Sequence, residues 1–132
     1  MADKHILKLT NLESVVKVDN TVGSVTFDLA TDFKLAHEDI SETPRVNIRC
    51  LMVAGTSDAT VTVTRNSKVL WVLFPGPPFD LQAVGISDSL ENDSNIAITT
   101  AGTSCQLVML LKKVEGYKTR YTPEQTGSDI FV

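Results

Sequence analysis

Nucleophilic and acid–base chemistry needs histidine, serine or carboxylate side chains that converge on one point. The sequence holds two histidines, His5 near its start and His37 in a polar segment, so a histidine-dependent triad would rest on one of these. It contains no Gly-x-Ser-x-Gly elbow, P-loop, Gly-x-Gly-x-x-Gly or His-Glu-x-x-His. Gly-Thr-Ser occurs twice, at Gly55-Thr56-Ser57 and Gly102-Thr103-Ser104, each time after an apolar alternating run. That placement reads as turn chemistry. Two acidic clusters stand out: Glu38, Asp39 and Glu42 around Ile40, and Asp88, Glu91, Asp93 and Asn95. The second has the alternating oxygen donors that calcium takes, but lacks the glycine of an EF-hand turn and reads as a solvated loop. Asn92-Asp93-Ser94 matches a glycosylation sequon, which matters only in an exported chain. Thr60-x-Thr62-x-Thr64 is locally like the threonine arrays of ice-binding proteins; one short row is not an array, and the β-propensity of threonine accounts for it. No catalytic, cofactor or metal residue is assigned, and the expectation is a protein that is not an enzyme.

The bulk properties narrow the classes further. The 132 residues carry a formal net charge of −4, with 42% hydrophobic and 21% charged residues. This is the composition of one globular domain able to bury its own core. The lysines and arginines are scattered rather than clustered, which argues against nucleic-acid binding. The longest apolar run, 69–74, is too short to span a bilayer as a helix. The opening 1–8 (MADKHILK) has no apolar signal-peptide core, and synthesis in a cytosol without export is expected. Cys50 and Cys105 lie in apolar strand patterns with no Cys-x-x-Cys spacing, and read as two reduced thiols.

The elements that would position these groups are strands. Val25, Phe27 and Leu29 alternate with Thr26 and Asp28; Val61 and Val63 alternate with threonines; Ile96 and Ile98 repeat the pattern. Val46, Ile48, Cys50 and Met52 are expected to share one face of a longer strand. Turn residues separate candidate strands near 5–9, 14–18, 24–29, 45–53, 60–65, 68–74, 95–100 and 104–114. Arg65-Asn66-Ser67 marks a tight hairpin, and 33–42 reads as a loop. No helical period is evident. The expected fold class is all-β, an antiparallel β-sandwich of jelly-roll type, with an immunoglobulin-like sandwich as the alternative.

Strand 68–74 is apolar on both faces, so it is either central and covered or presents one face to another subunit. Trp71 and Phe27 are expected in the core. Residues 1–116 are read as the sandwich and 117–132 as an extended arm whose tip, Ile130-Phe131-Val132, docks on a neighbour; a frayed tail is the alternative. The interface candidates are Trp71, Phe74, Phe79, Tyr117, Tyr121, Ile130, Phe131 and Val132.

Several stretches carry a resemblance: the opening 1–8 (MADKHILK), Val46-Asn47-Ile48, the hairpin segment 61–66 (VTVTRN) and 108–117 (VMLLKKVEGY). Together they resemble small virion structural proteins of tailed bacteriophages, especially short-tailed phages of marine bacteria. The polar C-terminus from Gly116 onward is similar to that family's irregular end. The resemblance implies a capsid cement or decoration protein on the exterior of the phage head. Its partners would be the major capsid protein and further copies of itself, as a dimer or trimer, without nucleic acid, membrane or cofactor. A tail, fibre or head–tail component is the alternative, and a carbohydrate-binding sandwich a more distant one. Alkylation under denaturing conditions without reductant is expected to modify both Cys50 and Cys105; an intact disulfide would revive the immunoglobulin-like alternative.

Overall fold

Alternation places buried and solvent-facing side chains on opposite faces, and the strands form where it does so. The structure, a computed structural model, describes residues 3–19, 23–85 and 88–119. Nine strands follow in order: β1 (Asp3–Leu9), β2 (Glu13–Asp19), β3 (Gly23–Phe27), β4 (Glu38–Gly55), β5 (Thr60–Arg65), β6 (Lys68–Leu73), β7 (Phe79–Asp80), β8 (Ile96–Ala101) and β9 (Cys105–Thr119). Among the described residues a 3-10 turn, Gln82–Val84, is the other regular element. The strands build two antiparallel sheets, one ordered β1-β2-β9-β4-β7 and one ordered β3-β8-β5-β6. The protein is an all-β sandwich. Among the described strands, only the β1–β2 and β5–β6 connections stay within a sheet.

The core lies between the sheets. Val16, Val18, Leu107, Met109 and Leu111 face Val61, Val63, Ile96 and Ile98, all buried, with Phe27 stacked on Phe33 at 5.9 Å. Cys50 and Cys105 are both free thiols, Cys105 buried and Cys50 half-buried.

Two departures from the expected strands have clear causes. β4 begins at Glu38, inside the segment read as a loop, and its inward face changes phase midway. Ile48 pairs with Leu111 but Cys50 with Leu110, so Arg49 is an extra residue, a β-bulge. Beyond it Leu51 and Val53 turn inward, while Cys50 and Met52 turn outward. The expected shared face of Val46, Ile48, Cys50 and Met52 is thereby split.

β9 also continues past the expected boundary at 116. Gly116 has φ +94°, and a Cβ there would lie 2.4 Å from Pro44 Cα. Glycine alone tolerates this backbone and this approach. Opposite it β4 carries four residues, 41–44, between the pairs Ile40–Tyr117 and Arg45–Glu115. The pair bends here and stays paired to Thr119, so Tyr117 belongs to the sandwich rather than to an arm.

Strand β6 is neither central nor covered: it is the edge of the four-stranded sheet. Trp71 is therefore half-buried rather than fully inside. Phe27, with no exposed surface, is a full core residue, and Phe27→Ala is expected to lower stability by about 3–5 kcal/mol in chemical denaturation.

Candidate functional site

The inward row of β5 runs Val61, Val63, Arg65, and alternation carries the arginine into the core. Arg65 is 1% exposed. Its Nε donates to Ser94 O (3.0 Å), Nη1 to Val46 O (2.8 Å), and Nη2 to Asn92 O (2.9 Å) and Ser94 O (2.8 Å). Burial pushes its pKa down to about 10, opposed by Asp88, Asp93 and Glu91, so it is cationic at neutral pH. The guanidinium makes four hydrogen bonds to three carbonyls from its planar fork, where an ammonium has three donors on one nitrogen.

Arg65 leads into a hairpin whose Asn66 and Ser67 both have positive φ, 51° and 60°. Such a turn matches the twist of the strands it joins. Asn66 donates to Glu91 and Lys68 pairs with Glu91 at 3.0 Å, so the hairpin tip is tied to the same loop. That loop, 88–95, runs along β4: Val46 N donates to Asn92 O, and Ile48 and Asp88 exchange two main-chain bonds. Asn95 accepts from Leu29 N, and the Asp88 carboxylate accepts from Trp71 Nε1 and Leu90 N. The loop read as solvated is thus a structural tie, with its oxygens directed at protein donors. Among the described residues no group of three or more histidine, cysteine, aspartate or glutamate side chains is placed to hold a metal.

The inward row of β9 repeats the pattern, Leu107, Met109, Leu111, Lys113. Lys113 pairs with Glu38 at 2.6 Å, both 1% exposed, and donates to Thr10 O at 2.9 Å. Burial pulls the Lys113 pKa down while Glu38 raises it. Its ammonium lies 4.4 Å from the centre of the Tyr117 ring, and the Tyr117 hydroxyl donates to Leu29 O. Burial, with Glu38 and Asp28 nearby, pushes the phenol well above its usual range. Tyr117 is an internal brace.

The two Gly-Thr-Ser turns are brought together. Thr56 N donates to Ser104 O (3.0 Å), and Ser104 N to Thr56 Oγ1 (3.2 Å). Asp58 accepts from the Thr56 hydroxyl, from Thr103 N (3.1 Å) and from the Thr103 hydroxyl (2.8 Å). These bonds, led by that from Thr56, hold the Asp58 pKa at about 2. The cluster clamps two turns.

The remaining candidates concentrate at β6. A bulge at Leu70 shifts the register between the pairs Val63–Trp71 and Thr64–Val69. It turns Trp71 inward, edge-on to the half-buried Phe79 with ring centroids 4.7 Å apart. Val69, Val72 and Phe74 remain 60%, 52% and 66% exposed. Beside them the outer face carries Thr62 and Thr64 of β5, Ala97 and Thr99 of β8, and Ser24 and Thr26 of β3, with no charge among them. The outer face of the other sheet mixes Glu13, Lys17 and Lys112 with Val15, Val108 and Leu110. Trp71, Phe74 and Phe79 thus share one flank and Tyr117 does not. Tyr121, Ile130, Phe131 and Val132 lie outside the described residues.

From sequence, Glu38 stood out only as part of an acidic cluster and Arg65 only as part of a hairpin turn, and Lys113 was passed over, although strict alternation after Val63 and Leu111 places both cations inward. Arg65→Met is expected to lower stability by about 1–3 kcal/mol in chemical denaturation, because the carbonyls of Val46, Asn92 and Ser94 each lose a guanidinium hydrogen bond. Asp58 gives a pH test. Its folded-state pKa lies below the ordinary 3.8, so its contribution is present above that value and lost as pH falls through about 2. Asp58→Asn is expected to melt below the parent at neutral pH, with the gap closing between about pH 4 and about pH 2. Comparison with protein-family models and with curated proteins finds no match to this chain.

Proposed function

We propose that this protein acts by association, as a capsid cement or decoration protein that binds the outer surface of an assembled phage head. The observation that carries association is the uncovered apolar edge: Val69, Val72 and Phe74 exposed along one edge strand, beside a sheet face without charge. Exposed apolar surface of this kind marks interaction sites. The capsid enters through the likeness of 1–8, 46–48, 61–66 and 108–117 to phage virion proteins. The order β2-β9-β4-β7 opposite β3-β8-β5-β6, with consecutive strands mostly crossing between sheets, supports the jelly-roll form of the sandwich.

In mechanism, a ligand that binds the assembled shell but not free subunits stabilises the shell by mass action. Many weak contacts on one lattice add avidity. The proposed arm is the sequence that follows β9, from residue 120, and Ile130-Phe131-Val132 is its proposed anchor, with Phe131 filling a pocket on the neighbour. Gel densitometry of purified particles is expected to show hundreds of copies; a dozen or fewer would favour a tail or head–tail component. Deleting residues from Gly127 onward is expected to leave the melting temperature unchanged and to reduce incorporation into particles lacking the protein. Undiminished incorporation would remove the anchor role.

A further inference from the structure

The four sheet edges are unequal. β1 is charged along its length, with Asp3, Lys4, His5 and Lys8, and is bulged at Leu7. β3 is five residues long, and Lys4 Nζ from β1 donates to its Thr26 O at 2.8 Å. β7 is two residues, and loop 88–92 covers the adjoining stretch of β4. These are the usual protections of an edge: charge, bulge, brevity and cover. β6 has one of them, its bulge. It pairs with β5 on one side and with no described strand on the other. After Lys68 it carries five consecutive apolar residues, Val69 to Leu73, and Phe74 follows just beyond its end, before Pro75.

We propose that β6 pairs antiparallel with β6 of a second copy of this chain, joining the two four-stranded sheets across a twofold axis. The pairing rests on the association reading above and names the occupant of that edge. Main-chain groups on the open side of β6 would gain partners, as in other strand additions. A partner strand must also be apolar on both sides. It must continue the uncharged outer face beside Val69 and Val72, and cover the half-exposed Trp71 and Leu73 on the inner flank. Of the described edges, β6 itself meets both requirements; β1 would bring four ionisable side chains.

Charge agrees with a second copy. A twofold antiparallel arrangement sets each Lys68 beyond the partner's Phe74, so the two lysines stand about 20 Å apart, the length of a six-residue strand. Each is already paired with Glu91 of its own chain at 3.0 Å. Two such edges with their flanking side chains bury on the order of 1,000 Å², the lower limit of a specific interface, so the dimer should dissociate on dilution.

The test is light scattering on the full chain over a dilution series, beside two variants and a control. The parent is expected to approach twice its 14.4 kDa at high concentration. Val69→Lys and Val72→Lys are expected to stay monomeric with unchanged circular dichroism, and Leu7→Lys, on β1, to dimerise like the parent. Hydrogen exchange of the parent's β6 amides should slow as concentration rises, a readout independent of any variant. A parent that is monomeric throughout, or a dimer that survives both lysine variants, overturns the pairing. The shell role is separable. A dimer that fails to join particles sustains the pairing and removes the cement role, whereas a monomer that joins them does the reverse.

Discussion

The architecture depends on one buried cation. Arg65 stands at the end of β5 in one sheet and bonds Val46 O in the other, so a single side chain spans the sandwich. Its remaining bonds hold Asn92 O and Ser94 O, which fixes the loop that fills the edge of β4. Once that loop is placed, Asp88 can receive Trp71 Nε1 and Glu91 can receive Asn66 and Lys68. The β5–β6 hairpin is thus tied to the opposite sheet at its tip and along its inner side. Burying a guanidinium is costly, and it is tolerated because its N–H groups donate to the main-chain carbonyls of Val46, Asn92 and Ser94.

The same logic explains where the polar core groups sit. Val61-Val63-Arg65 and Leu107-Met109-Leu111-Lys113 are inward rows that begin apolar and end in a cation. Tyr117 lies beside both: its ring faces Lys113, and its phenol feels the charge of Arg65. The bend at Gly116 brings that tyrosine and Glu38 over the end of the rows. The apolar rows therefore end at these cations, where ion pairing and main-chain bonds replace side-chain packing, while β9 runs on to Thr119.

Much of this was legible in sequence, and the exceptions share a cause. β2, β3, β5 and β8 were visible because their faces differ in polarity, so the period of two is unambiguous. β4 and β6 are apolar on both faces in part of their length, and there alternation carries no phase information. Those are the strands where bulges at Arg49 and Leu70 reset the face, sending Met52 outward and Trp71 inward. β7, two residues long, has no pattern to read. The two Gly-Thr-Ser turns were recognised as turns, but their contact depends on strands 48 residues apart in the chain. For the proposed association site, residue types pointed to 68–74, while its place at an edge was a property of strand order and so invisible.

The chemistry-bearing side chains and the open edge are connected. Asp58 clamps two turns, Glu38 neutralises Lys113, Asp88 and Glu91 secure the hairpin, and Asp32 accepts from Asp28 N and from Lys4. Each of these carboxylates has its lone pairs directed at a donor of this chain. A group so engaged must give up native bonds before it can serve a ligand, which lowers its affinity for one. β6 pairs with no described strand on its open side, and the apolar side chains there would gain by leaving water. On the association reading proposed above, binding capacity among the described residues therefore lies with backbone and apolar surface at an edge. That kind of capacity recognises another strand more readily than a small molecule, because a strand supplies both the hydrogen-bond ladder and the apolar cover in one element.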